Sequence, residues 1–250
     1  HFCYNSAVYA LCNGKTYKPL TQFCSTTNVI TDKCGSSTYN TTTHFCYNSA
    51  VYALCNGRKY NPTSQGCASN AIYDNKSIWS NLNSSLTYSV FRDSRDNQVY
   101  KYIKIGNQTW MAENVNYKVS GSYCSNCTLY GRLYTFAQAK SACPSGWKLP
   151  SRSDWNTLSN YVKGKNANVE KSLRSKKWSG SDIVGFSVIQ PGNYFWTSEI
   201  YYPSGSMDMS IQWPYYRYVS NGSAASILEG TEGCDGCGVD YAHYVRCLKK

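Results

Sequence analysis

Residues 1–14, HFCYNSAVYALCNG, recur letter for letter as residues 44–57. A chain that copies itself this closely is assembled from a small unit, and that constrains its fold before any residue is read singly. A shorter period runs inside the copy. Phe2-Cys3, Phe23-Cys24, Phe45-Cys46 and Gly66-Cys67 stand 21 or 22 residues apart. Each of the first three is followed by a second cysteine (Cys12, Cys34, Cys55) and, five residues later, by a tyrosine (Tyr17, Tyr39, Tyr60). Units of this size cannot bury a core alone and need staples or neighbours.

The staples are at hand. Of the 13 cysteines, seven fall in the first 67 residues, and paired spacing in small loop-rich units reads as a disulfide framework of a secreted or surface-exposed protein. Two registers are possible. One joins Cys3–Cys12, Cys24–Cys34 and Cys46–Cys55, leaving Cys67 stranded inside the chain. The other joins Cys12–Cys24, Cys34–Cys46 and Cys55–Cys67, encloses eleven residues each time and strands only Cys3. Constant spacing and the place of the orphan favour the second. The chain opens inside a repeat, so an export signal and the partner of Cys3 are expected upstream.

Each unit reads as two short strands. Asn13-Gly14 and Asn56-Gly57 are hairpin dipeptides, because a type I′ turn needs positive φ at both central residues. After Cys67 the pattern decays. The expected organisation is a stalk of tandem β-repeats over 1–75, a Ser/Asn-rich linker over 76–92 that packs loosely through Trp79, and a second domain over 93–250. There Val99, Tyr100, Ile103 and Ile105 suit a strand ended by Gly106. Tyr134, Phe136, Ala137, Lys140 and Ala142 suit a short helix stopped by Pro144 and Gly146. A second helix opens at Ser153-Asp154, its apolar face formed by Trp155, Leu158, Tyr161 and Val162. Two helices among many short strands make an α+β fold.

Four cysteines form Cys124-x-x-Cys127 and Cys234-x-x-Cys237. Four thiolates in this spacing suit a tetrahedral zinc ion. Disulfides within each pair, or across the pairs, are the other solution, favoured by the oxidised state expected of the rest. The net charge of +11 is densest at Lys163, Lys165, Lys171, Arg174, Lys176 and Lys177, either a docking patch for a polyanion or a solvated helix face. No run of 18 apolar residues predicts a membrane span. The three histidines, His1, His44 and His243, lie beside no evident nucleophile, and no catalytic motif appears. The expectation is a protein that is not an enzyme and carries no cofactor or metal.

From Asp93 the residues read DSRDNQVYKYIKIGNQTWMAENVNY, then YGRLYTFAQAKSACPSGWKLPSRSDWNTL over 130–158, VGFSVIQPG over 184–192, WTSE over 196–199 and a terminal YVRCLKK. This strongly resembles the Fibrobacter succinogenes major paralogous domain, a family of secreted bacterial surface modules. The resemblance implies a C-type-lectin-like fold, behind repeats like those that precede the domain in such surface proteins. It implies a long-range disulfide from the first helix to the last strand, here Cys143 to Cys247. The calcium ligands of sugar-binding C-type lectins are not matched, since Gln190-Pro191-Gly192 offers no acid, so binding is expected to be calcium-independent. A remoter likeness, through the shared fold, is to formylglycine-forming oxidases, which predicts free reactive thiols.

Aromatic side chains crowd the region where this fold exposes its variable loops. They are Tyr194, Tyr201, Tyr202, Trp213, Tyr215, Tyr216 and Tyr218, although Tyr215 and Tyr216 also alternate like a strand. The expectation is an adhesion module for a protein or polysaccharide at the cell surface, with no nucleic-acid partner. The rival is the subunit of an extracellular filament that self-associates through repeats and domain. Cys3 carries a direct test of the register. Peptide mapping of the alkylated native protein is expected to recover a Cys12–Cys24 peptide, and a Cys3–Cys12 peptide would refute that pairing.

Overall fold

A computed structural model describes residues 2–4, 7–17, 22–24, 30–35, 37–40, 43–68, 70–165, 167–189, 193–202, 213–220, 227–232 and 241–250. The chain divides between Asn75 and Lys76 into two compact units.

The first unit is a series of antiparallel ribbons. Strands β1 (Phe2–Tyr4), β2 (Ala7–Cys12) and β3 (Lys15–Tyr17) form one, and β4 (Gln22–Cys24), β5 (Ile30–Cys34) and β6 (Ser37–Thr38) the next. Hairpins β7 (His44–Tyr47) with β8 (Ala50–Ala53), and β9 (Gln65–Ala68) with β10 (Ala71–Asp74), complete it. Asn13 and Gly14 turn the chain with φ of 48° and 77°, the positive pair a type I′ turn demands. Among the described residues of this unit Phe45 is the largest buried side chain, against Tyr52 and the edge of Tyr60. Bridges Cys34–Cys46 and Cys55–Cys67 hold the ribbons at Cα separations of 5.4 and 5.6 Å. Cys24 is also disulfide-bonded, while the side chains of Cys3 and Cys12 lie outside the described residues.

The second unit is α+β. One five-stranded antiparallel sheet runs in the order β11 (Ser89–Arg92), β12 (Val99–Ile105), β13 (Gln108–Met111), β20 (Leu248–Lys249), β15 (Trp147–Lys148). The other runs β14 (Leu133–Tyr134), β19 (His243–Tyr244), β16 (Asn193–Tyr201), β17 (Trp213–Val219), β18 (Leu228–Thr231), with only β16 and β19 parallel. The helices are α1 (Cys127–Tyr130), α2 (Phe136–Ala142), α3 (Arg152–Lys163) and α4 (Val169–Leu173). Capping boxes, Thr135 with Gln138 and Ser151 with Asp154, start α2 and α3 by satisfying backbone N–H groups that lack helical partners.

Helix α3 lays Trp155, Leu158 and Val162 into the main core. There the rings of Trp110, Trp155, Phe186 and Phe195 meet at 4.9 to 5.6 Å. Tyr161, expected on the same face, is instead 38% exposed and covers Gly106, where a Cβ would lie 2.7 Å from its ring. A second cluster gathers Tyr100, Met111, Tyr134, Trp147 and Trp196.

Residues 76–92, expected to be a linker, are part of this unit. Trp79 is buried and its Nε1 donates to Glu113 Oε1 at 2.7 Å, and Lys76 Nζ reaches Glu113 Oε2 at 3.0 Å. Asn83 Nδ2 donates to the Asp182 carbonyl and Ser175 Oγ to the Asn81 carbonyl, and Ser89–Arg92 pairs with β12 along its whole length. The segment docks by hydrogen bonds, which a polar composition conceals.

Cys143, at the C-cap of α2, bridges Cys247 beside β20 across 104 residues of sequence. The double replacement Cys143→Ala/Cys247→Ala is expected to lower the unfolding free energy by about 4–5 kcal/mol, read from urea denaturation. A loss under about 1 kcal/mol would mean that the loop is already ordered in the unfolded chain.

Candidate functional site

Strands β16 and β17 carry the aromatic residues, and their register divides them. Tyr194 faces Tyr218, Phe195 faces Arg217 and Trp196 faces Tyr216. A bulge follows, after which Ile200 faces Pro214 and Tyr201 faces Trp213. Side chains alternate across a strand, so Trp213, Tyr215, Arg217 and Val219 share one face of β17, and Tyr216 and Tyr218 take the other. The expected ligand-face residues Tyr201, Tyr202, Trp213, Tyr215, Tyr216 and Tyr218 therefore do not form one surface.

On the second face the rings pack on each other. His243, Tyr194 and Tyr218 stand in a row across β19, β16 and β17, with ring centroids 5.3 and 5.1 Å apart and planes within 25°. That is close to the strand spacing of about 4.8 Å, so each ring stacks on its cross-strand neighbour. Tyr216 and Trp196 close against His243 at 5.1 and 4.3 Å. Tyr194 is 39% exposed, yet both its faces are taken. This ladder is internal packing with a wet edge.

His243 is the polar member of the ladder. Its Nε2 lies 2.9 Å from Glu232 Oε1 and its Nδ1 3.0 Å from the Ala242 carbonyl. Burial disfavours charge on either partner, holding the His243 imidazolium down to about 4 and pushing the Glu232 carboxyl up.

The first face leaves the core at the end of the sheet. There Tyr201 meets Trp213 at 5.8 Å and the edge of Tyr215 at 6.0 Å. Tyr202 alongside is 60% exposed. The Arg152 guanidinium lies 3.9 Å over the Tyr215 ring. Glu229 fixes it there through two bonds, from Nε at 2.8 Å and Nη2 at 2.6 Å, while also pairing with Arg217 at 2.6 Å. Burial would raise the Glu229 carboxyl, but the Arg152 hydrogen bonds and both guanidinium charges hold it below its ordinary value. Glu199 accepts from the Arg152 backbone N–H at 2.9 Å. Arg152, Arg217 and Glu229 were not legible as site residues. They come from α3, β17 and β18, and only the sheet order brings them together.

The remaining expectations fall elsewhere. Cys124 and Cys127 are bonded to each other at the start of α1, so neither is a thiolate for a metal. Cys234, Cys237 and Gln190 to Gly192 lie outside the described residues. Of the basic cluster, Lys163, Lys165, Lys171, Lys176 and Lys177 are exposed, whereas Arg174 is buried and its Nη1 donates to the Ser220 carbonyl at 2.9 Å.

Residues 103–185 match the family model of the Fibrobacter succinogenes major domain. The match spans 83 of the 250 residues of the chain. No curated protein and no solved structure matches the chain. The matched span runs from within β12 to the residue before Phe186. It covers α3 and Arg152, but β16 to β18 and their aromatic faces lie beyond it.

The His243 ring sets a pH dependence. In the unfolded chain it takes a proton near its ordinary 6.5, whereas the folded ring resists protonation until about 4. This contribution to stability is therefore complete above 6.5 and is lost as pH falls toward 4. Glu232 titrates in the opposite sense, so the comparison belongs in a Glu232→Gln background. There His243→Phe is expected to flatten stability against pH in that window, measured by urea unfolding. An unchanged slope would show that the folded ring titrates freely.

Proposed function

We propose that the second unit is a C-type-lectin-like, non-catalytic recognition module, carried outside the cell by the disulfide-stapled repeats, that binds a protein or glycan without calcium. One observation carries this reading. Tyr201, Tyr202, Trp213 and Tyr215 run past the core at the end of a sheet, beside an arginine locked by a bidentate carboxylate. Tyrosine and tryptophan give large contact area at low entropic cost, and such anchors dominate binding energy.

The lectin-like assignment is supported by the two mainly antiparallel sheets, the helices α2 and α3, and the bridge from the end of α2 to the residue before the terminal strand. Among the described residues nine cysteines are disulfide-bonded, chemistry that persists in an oxidising compartment. Also among them, no helix is long and apolar enough to cross a membrane.

Glycan and surface-protein arrays probed with the intact chain provide the test. A ligand found there is expected to lose about tenfold or more in affinity with Tyr201→Ala or Trp213→Ala. Tyr218→Phe, in the packed ladder, should leave it unchanged, as should a calcium chelator. Binding indifferent to both alanine variants would refute the aromatic face. Large polymers of the purified protein in light scattering would favour the filament subunit instead.

A further inference from the structure

A cleft of about 330 Å³ lies among the docked residues 79–88, away from β16 and β17, with walls from Trp79, Ser80, Leu82, Leu86, Tyr88 and Lys101. Leu82, Leu86 and Tyr88 are half-buried and make an apolar wall. The Lys101 ammonium lies 4.7 Å from the Trp79 ring centroid and 5.8 Å from that of Tyr88. No aspartate or glutamate lines the cleft.

The acid whose charge acts on Lys101 is already committed. Glu113 accepts from Trp79 Nε1 at 2.7 Å, from Lys76 Nζ at 3.0 Å and from the Lys101 backbone N–H at 2.9 Å. Among the described residues the Lys101 ammonium forms no ion pair. Burial lowers its pKa even though Glu113 works to raise it, the sign of a cation short of counter-charge. A second ammonium, Lys177 Nζ, donates to Ser80 Oγ at 3.0 Å. The cleft thus has an apolar wall, one lining cation and no lining anion, with Lys177 bonded to the lining residue Ser80.

We propose that this cleft binds a small acid in which a carboxylate is attached to a ring with an apolar face, the chemistry shared by hexuronates and aromatic acids. The carboxylate pairs with Lys101, and the ring lies along Tyr88, Leu82 and Leu86. The volume is at the lower end for ligand sites, about 300 Å³ and upward, which suits one ring and excludes a long oligomer from full enclosure. The site is separate from the aromatic face at Tyr201 and stands or falls without it.

Calorimetric titration of the intact chain tests this with sodium glucuronate, sodium benzoate, glucose and benzyl alcohol as probes. One of the acids is expected to bind at least about tenfold more tightly than its neutral counterpart, the worth of one charge-assisted bond. Which acid binds tells the two sources apart. Lys101→Met, which keeps the stem against Trp79, should remove that advantage, and Lys101→Arg should restore most of it. Wild-type NMR supplies a readout that needs no variant, since the Trp79 indole N–H should shift with the acid and not with its neutral analogue. Three results would overturn the proposal. They are no binding of either acid up to about 10 mM, equal binding to Lys101→Met, and shifts confined to Tyr201 and Trp213.

Discussion

A fully buried guanidinium organises the second unit. Arg246 is 1% exposed, and a charge removed from water is tolerated only when acceptors surround it. Burial pulls its pKa down to about 9, against the opposing fields of Glu113 and Asp182. Its Nε donates to Asn114 Oδ1 at 2.8 Å and its Nη1 to the Phe186 carbonyl at 2.6 Å, and the guanidinium lies 4.7 Å over the Phe186 ring. Those acceptors come from the loop after β13 and from the segment before β16. Satisfying one side chain therefore requires the C-terminal strand and both of those segments to be in place together. The adjacent Val245 and Cys247 carbonyls accept from Val115 and Met111 N–H groups, and Cys247 adds the covalent tie to α2.

The same charge network explains why residues 76–92 belong to the domain. Glu113 is buried next to Asn114 and must find donors, and Lys76 and Trp79 provide two of them. A composition rich in serine and asparagine reads as solvated linker, because sequence patterns report apolar burial and say little of polar docking. The opposite holds for β12, α2 and α3. Their apolar spacing and stop signals are local, so Val99–Ile105, Phe136–Ala142 and the buried face of Arg152–Lys163 could be read directly. Tyr161 was misplaced because helical spacing alone does not say where the facing surface ends. In this fold it ends at Gly106.

The aromatic region was legible as composition and not as geometry. The nine aromatic residues from Tyr194 to Tyr218 look like one surface, and the strand-like alternation of Tyr215 and Tyr216 was the only hint of division. The bulge between Trp196 and Ile200 completes it by bringing Tyr201 opposite Trp213, on the Tyr215 side. Bulges re-aim side chains at the ends of sheets. Here one separates rings that satisfy each other from rings that stay available. Arg152 then joins the available set because Glu229, from the edge strand β18, holds it over Tyr215.

The two units solve the stability problem by different means. In the second, burial of large rings and a buried polar network make cooperative packing possible. In the first, the buried apolar residues among those described are Ala10, Cys34, Phe45, Cys55 and Ala68, and repeat units of about 22 residues are too short to bury a core alone. The bridges Cys34–Cys46 and Cys55–Cys67 supply the difference by shrinking the unfolded ensemble, and each acts over a loop only 12 residues in separation. Since the constraint is local, a unit can be copied without redesigning its neighbours. That independence is the physical reason an identical stretch of 14 residues can occur twice in one chain, whereas the second unit ties distant segments together through Arg246 and its core clusters, and no short stretch of it could be duplicated in the same way.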